Sequence, residues 1–226
     1  FKSACTKAQR ERLVQTVRSI SPELAINNVD YIRTESATEI GVPQWQYSAS
    51  CNARRTAGPL RLRPADNASV DFMGFRYRDS SVSAGQLALR QWQNLANAGS
   101  VSLYIMGHLD NHKDRTALNA SKAAFAFHRE HEALYRGLQS AAKVLLVTKP
   151  IMARSDPEVY GWVRALTESH IPFDEVKLTE LTPELLRRWD VVILGDVKQC
   201  SPQQTTMLDA YAAQGGIVLA SGSAPA

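Results

Sequence analysis

The chain changes its pattern of apolar and polar positions near Gly137. From Lys143 onward the alternation is clean. Short apolar runs predict strands over Lys143 to Val147, Phe173 to Leu178, Val191 to Leu194 and Ile217 to Ala220. Between them, amphipathic stretches predict helices over Pro157 to Ser169, Pro183 to Arg188 and Pro202 to Ala213. The last of these is capped by Ser201 and closed by Gly215-Gly216. Continuous apolar strands that alternate with helices describe a parallel sheet covered on both faces. Residues 139–226 are therefore expected to form a doubly wound α/β domain, incomplete after its fourth strand.

The first part is less regular. Leu13, Val14, Val17 and Ile20 have helical spacing over Thr6 to Ile20, and Ser21-Pro22 ends that helix. Val29 to Ile32 reads as the end of a buried strand. Gly41 to Asn67 is rich in Pro, Arg, Ser, Ala and Asn, and is expected to be a long site-forming loop. Val70 to Tyr77 reads as an imperfect strand, Ser83 to Asn97 as an amphipathic helix and Val101 to Met106 as a buried strand. A polar loop runs from His108 to Arg115, and a long helix is expected over Ala117 to Leu138. Strand–helix alternation with long polar loops after the strands suits a (β/α)8 TIM barrel, whose sites lie on those loops. A barrel needs roughly 250 residues. Residues 1–138 are thus expected to be its carboxyl-terminal portion, with the protein continuing upstream of Phe1.

Composition narrows the classes. The 226 residues are 44% hydrophobic and 21% charged, ordinary for a globular protein. A net charge of +4 is too small to argue for nucleic acid, and no nucleic-acid-binding motif is present. Arg54, Arg55, Arg61, Arg63, Arg76 and Arg78 crowd one region, either as a solvated surface or as a pocket for an anionic or polyhydroxylated ligand. Cys5, Cys51 and Cys200 have neither metal spacing nor a disulfide framework. No membrane span, metal site or cofactor motif is read. The chain begins with Phe1, so localisation is left open, with the cytoplasm preferred.

Candidate chemistry concentrates in Asp30-Tyr31-Ile32-Arg33-Thr34-Glu35-Ser36-Ala37-Thr38-Glu39, followed by Trp45 and Tyr47. Carboxylates do acid, base or nucleophile work at an anomeric carbon. Aromatic rings stack on the apolar faces of sugars. Glu35 at a strand end is the first catalytic candidate, and Glu39, on a longer loop, is the second. Arg33 either orients Glu35 or only pairs with it. Asp30, Arg33, Trp45, Tyr47, Arg54, Asp110 and His112 are the candidate substrate contacts. The second domain carries no Gly-rich phosphate loop, because Thr148-Lys149-Pro150-Ile151 follows its first strand. Cys200 lies too far past Leu194 for a nucleophile elbow.

These segments resemble known proteins. Asn27 to Glu35, with Trp45 and Tyr47 downstream, is similar to the strand-end segment of alpha-L-fucosidases. Leu89 to Gly107, containing Gln91 to Ser100, is similar to the last βα unit of fucosidases and family 42 beta-galactosidases. The Arg33 to Glu39 segment and the order of domains resemble the "hypothetical glycosyl hydrolase" group. There the barrel is followed by a domain like the beta-galactosidase trimerisation domain, itself similar to class I glutamine amidotransferases without their catalytic residues. The resemblance implies a retaining glycosidase acting on a carbohydrate, and a homo-oligomer formed through the second domain. Glu35 would be the acid/base by the fucosidase analogy and the nucleophile by the galactosidase analogy. Either way its partner carboxylate lies upstream. A non-catalytic carbohydrate-binding or oligomerisation scaffold is the alternative.

Overall fold

The computed structural model describes residues 2–27, 29–30, 32–36, 45–58, 65–149 and 156–222. The helices are α1 (Lys2–Ile20), α2 (Ser48–Ala57), α3 (Ala84–Ala96), α4 (Leu118–Glu130), α5 (Glu132–Tyr135), α6 (Pro157–Glu168), α7 (Pro183–Leu186) and α8 (Pro202–Ala213). The strands are β1 (Ile32–Glu35), β2 (Ala65–Val70), β3 (Leu103–Tyr104), β4 (Val144–Thr148), β5 (Phe173–Lys177), β6 (Val191–Gly195) and β7 (Ile217–Ser221). All pairings between these strands are parallel.

The second sheet has the order β5-β4-β6-β7. Leu145, Val147, Val176, Val192 and Leu194 form one core with Leu186 of α7 and with Leu208 and Tyr211 of α8. Leu146, Phe173 and Ile193 form the other with Val159, Val163 and Leu166 of α6. Successive strands step first to one side of β4 and then to the other. Right-handed crossovers therefore place α6 on one face and α7 and α8 on the other. The apolar runs in the sequence locate these strands to within two residues. Pro stands at the first turn of α6, α7 and α8, and Asp156, Thr182 and Ser201 accept cap hydrogen bonds there.

The first sheet runs β1-β2-β3 in chain order. It departs from the sequence expectations in several places. β1 continues through the polar residues Arg33, Thr34 and Glu35, which align with Asp66, Asn67 and Ala68 of β2. The expected 41–67 loop holds helix α2 and the start of β2. Both lack an apolar pattern because their buried positions are small or polar: Ala49, Ser50, Ala53 and Thr56 in α2, Asn67 and Ser69 in β2. The strand expected over Val70 to Tyr77 ends at Val70, and a turn follows, closed by a bridge between Phe72 and Ser81. The long helix breaks at His131 into α4 and α5. In α1, Leu13 and Ile20 are exposed.

Side chains of the first sheet alternate between its two faces. Thr34, Ser36, Asn67 and Ser69 face α2 and α3, and a buried amide network replaces the usual apolar contact. Asn67 Oδ1 accepts from Thr34 Oγ1 (3.1 Å) and Asn52 Nδ2 (3.0 Å). Asn67 Nδ2 donates to Ser36 Oγ (3.0 Å) and Asn94 Oδ1 (2.8 Å). Asn94 Nδ2 returns a bond to the Asn67 carbonyl (2.7 Å). Every side-chain amide group of Asn67 is thereby satisfied, the condition for burying one at all. By the same alternation, Arg33 and Glu35 lie on the opposite face, with Asp66, Ala68 and Val70.

Helix α2 joins the two sheets. One side covers β1 and β2. The other places Cys51 in the core of Leu146, Val159, Val163 and Phe173, beside α6 on the second sheet.

Candidate active site at the carboxyl end of the first sheet

Glu35 is the last residue of β1 and is exposed. Its backbone carbonyl accepts from Asn52 Nδ2 of α2 (2.8 Å). Ser36, just beyond, donates its N–H to the Ala68 carbonyl (3.0 Å). The strand end that presents the Glu35 carboxylate is therefore fixed on both sides. Arg33, on the same face two residues earlier, pairs with Asp66 (Nη1 to Oδ2, 3.7 Å). It was expected to pair with or orient Glu35. Register puts Asp66 directly opposite it instead. Glu39 lies outside the described residues.

The other expected contacts are dispersed. Asp30 accepts from Arg18 Nη2 and from the Ile26 N–H (2.7 Å), fastening the turn after α1. Trp45 and Tyr47 form a 3-10 turn that leads into α2, and both are half-buried. The Tyr47 hydroxyl donates to Glu168 Oε1 of α6 (2.7 Å), and that bond, with burial, raises the phenol pKa. Arg54 is buried: Nε donates to Glu175 Oε1 (3.2 Å) and Nη1 to Asn97 Oδ1 (3.1 Å), with the guanidinium 4.1 Å above the Phe173 ring. Among the substrate contacts expected from the sequence, Tyr47 and Arg54 thus serve the joint between the sheets. Asp110 is exposed in the loop after β3, where Arg115 Nη2 holds the Leu109 carbonyl (2.7 Å).

His112 belongs to a cluster that sequence reading missed. Asp71 directly follows β2 and is 1% exposed. Its Oδ1 accepts from Ser81 Oγ (2.6 Å), and its Oδ2 lies 3.9 Å from His112 Nε2, too far for a hydrogen bond. Asp114 Oδ2 accepts from the Ser81 N–H (2.9 Å). Burial raises the Asp71 pKa, and the Ser81 hydroxyl opposes it. Arg90 Nη1 holds the Val70 carbonyl, and burial lowers its guanidinium to about 10. The cluster ties the end of β2, the 72–81 turn and the loop after β3 into one rim. An Asp directly after a strand was the available signal. It was hidden because the strand was read as continuing to Tyr77.

Among the described residues there is no group of three or more His, Cys, Asp or Glu able to hold a metal ion. No helix among them is long and apolar enough to cross a membrane.

No protein-family model matches the chain, and no curated protein does. A solved structure does: alpha-L-fucosidase isoenzyme 2 from Paenibacillus thiaminolyticus superposes with a TM-score of 0.67 at 24% identity. The match covers 92% of this chain and 34% of the fucosidase chain. The fold is similar to the matched part of that fucosidase. It is an α/β fold of parallel sheets, and the chain spans about a third of the length of that enzyme.

Proposed function

We propose that this chain is part of a retaining glycoside hydrolase in which Glu35 is one of the two working carboxylates. The carrying observation is the position of Glu35: the last residue of a parallel strand, exposed, with its carbonyl fixed by Asn52. Sites of (β/α) barrels are built at the carboxyl ends of such strands. The chain-order sheet β1-β2-β3 supports reading residues 1–138 as barrel units. The β5-β4-β6-β7 order supports reading 139–226 as a separate α/β domain of the trimerisation and amidotransferase-like kind.

A retaining mechanism places two carboxyl groups about 5 Å apart. The nearest described acid by register on the Glu35 face, Asp66, is held by Arg33 lower on the strand. We place the partner carboxylate in a part of the enzyme that this chain, about a third of the matched fucosidase's length, does not span. Arg33 and Asp110, both exposed, and half-buried Trp45 are the remaining candidates for substrate contacts. The match to an alpha-L-fucosidase makes an alpha-L-fucoside the first substrate to try.

The test is turnover of a panel of aryl glycosides, led by an aryl alpha-L-fucoside, by the protein and by the isolated chain. Release of the aryl group by the protein and none by the chain is the expected result. Sugar binding without turnover in the protein would favour the non-catalytic scaffold.

A further inference from the structure

Two arginines of α2 converge on one buried glutamate of the second sheet. Glu175 is 2% exposed in the middle of β5. Its Oε1 accepts from Arg54 Nε (3.2 Å) and its Oε2 from Arg55 Nε (2.6 Å). A carboxylate gripped through both oxygens by two guanidinium groups is fixed in direction as well as in distance. The arginines are fixed equally, one of them also over Phe173.

The same helix reaches the candidate site. Asn52 lies three residues before Arg55 and so on the same side of α2. Its Nδ2 holds the Glu35 carbonyl at 2.8 Å and Asn67 Oδ1 at 3.0 Å. A continuous chain of short polar contacts and one rigid helix turn therefore runs from Glu175 in the second sheet to the backbone of Glu35 in the first.

Stability alone does not explain this choice of residues. A helix packed between two sheets needs only apolar side chains, and a buried ion pair is often no more stabilising than the apolar residues it replaces. Arg55 also keeps its Nη2 buried with no hydrogen-bond partner among the described residues. What the arrangement supplies is orientation: it sets where α2 lies, and thereby where Asn52 holds the end of β1.

We propose that Glu175 and Asn52 are positioning residues for Glu35, so that the second sheet sets the strand-end carboxylate through α2. This rests on the reading of Glu35 as a working carboxylate. A small misplacement of a reacting group costs up to about 10²-fold in rate. Removing either link should therefore lower kcat by about 10- to 10²-fold while KM changes little.

The test has two readouts. The carbonyl ¹³C resonance of Glu35 in the protein is followed in Asn52→Ala and Glu175→Gln. In the protein, kcat and KM are measured per active site titrated, so that a loss of folded material does not count. The expected result is a displaced Glu35 resonance in both variants, a fall in kcat in both, and a double variant no worse than either single one. If Glu175→Gln does not fold, Arg55→Lys keeps the charge, loses the fork and is read in the same way. An unmoved Glu35 resonance in the folded Glu175 or Arg55 variant overturns the proposal, whatever Glu35→Gln does. So does a moved resonance with kcat unchanged, in a protein that Glu35→Gln inactivates. If Glu35→Gln leaves turnover intact, the reading of the site fails and the positioning role falls with it. The resonance shift would then report only a mechanical link.

Discussion

Arg54 of α2 and Glu175 of β5 meet at 3.2 Å in the buried joint between the two sheets, with Arg55 on the second carboxylate oxygen at 2.6 Å. Burial alone would lower the Arg55 pKa, but the Glu175 carboxylate outweighs it and the guanidinium is raised. Removing one member of a buried pair leaves the other uncompensated and costs about 3–5 kcal/mol. Arg54→Ala leaves Glu175 paired with Arg55 alone, so a loss below that range, about 1–3 kcal/mol, is expected by urea denaturation. Arg54→Lys should recover little, because it lacks both the Nε donor and the planar face over Phe173. A loss well below 1 kcal/mol in Arg54→Ala would show that the joint contributes nothing.

Cys51 reports on the same joint. Its thiol is buried and pushed up to about 12, by burial first and by the Glu175 carboxylate second, so it is almost wholly protonated at neutral pH. The thiolate is the reactive form. Iodoacetamide followed by mass spectrometry should label exposed Cys5 quickly and leave Cys51 unmodified until urea unfolds the chain. Native labelling of Cys51 as fast as Cys5 would mean that α2 is not docked on the second sheet.

Asp71 gives a pH dependence with a definite sign. Burial raises its pKa in the folded state. Between the usual carboxylate value of about 4 and its raised value, the native state binds more protons than the unfolded one. Stability then falls as pH rises through that window. Asp71→Asn, which removes the titration, should flatten this part of the curve when urea midpoints are followed across the window. An unchanged slope would show that Asp71 titrates normally.

How far the sequence could be read depends on what each element buries. Leu145 to Val147 and Val191 to Leu194 bury aliphatic side chains on both faces, and their runs are visible without any structure. β2 buries Asn67 and Ser69 toward helices that answer with Asn52 and Asn94. No single-chain pattern shows such a match, because the partners are 15 to 27 residues apart. The strand-end position of Glu35 was legible because a carboxylate closing a short strand is a local feature. Arg54 was legible as a special cation but not in its role, since its partner Glu175 lies 121 residues away. Asp174 and Glu175, charges inside an apolar strand, were the one sign of that partnership. The Trp189 Nε1 bond to Asp174 (3.0 Å) accounts for the first and the two arginines for the second.

The central claim is that Glu35 does chemistry, and the most direct measurement is turnover of an aryl alpha-L-fucoside by the protein carrying Glu35→Gln. General acid/base work contributes about 10²–10⁴-fold, and a loss of that size is predicted, far larger than for Glu39→Gln. Rescue by azide and retained activity on substrates with good leaving groups would assign the acid/base role. Failure of good leaving groups to help, with any azide product inverted, would assign the nucleophile. Near-normal kinetics in a Glu35→Gln protein whose circular dichroism is unchanged would contradict the account.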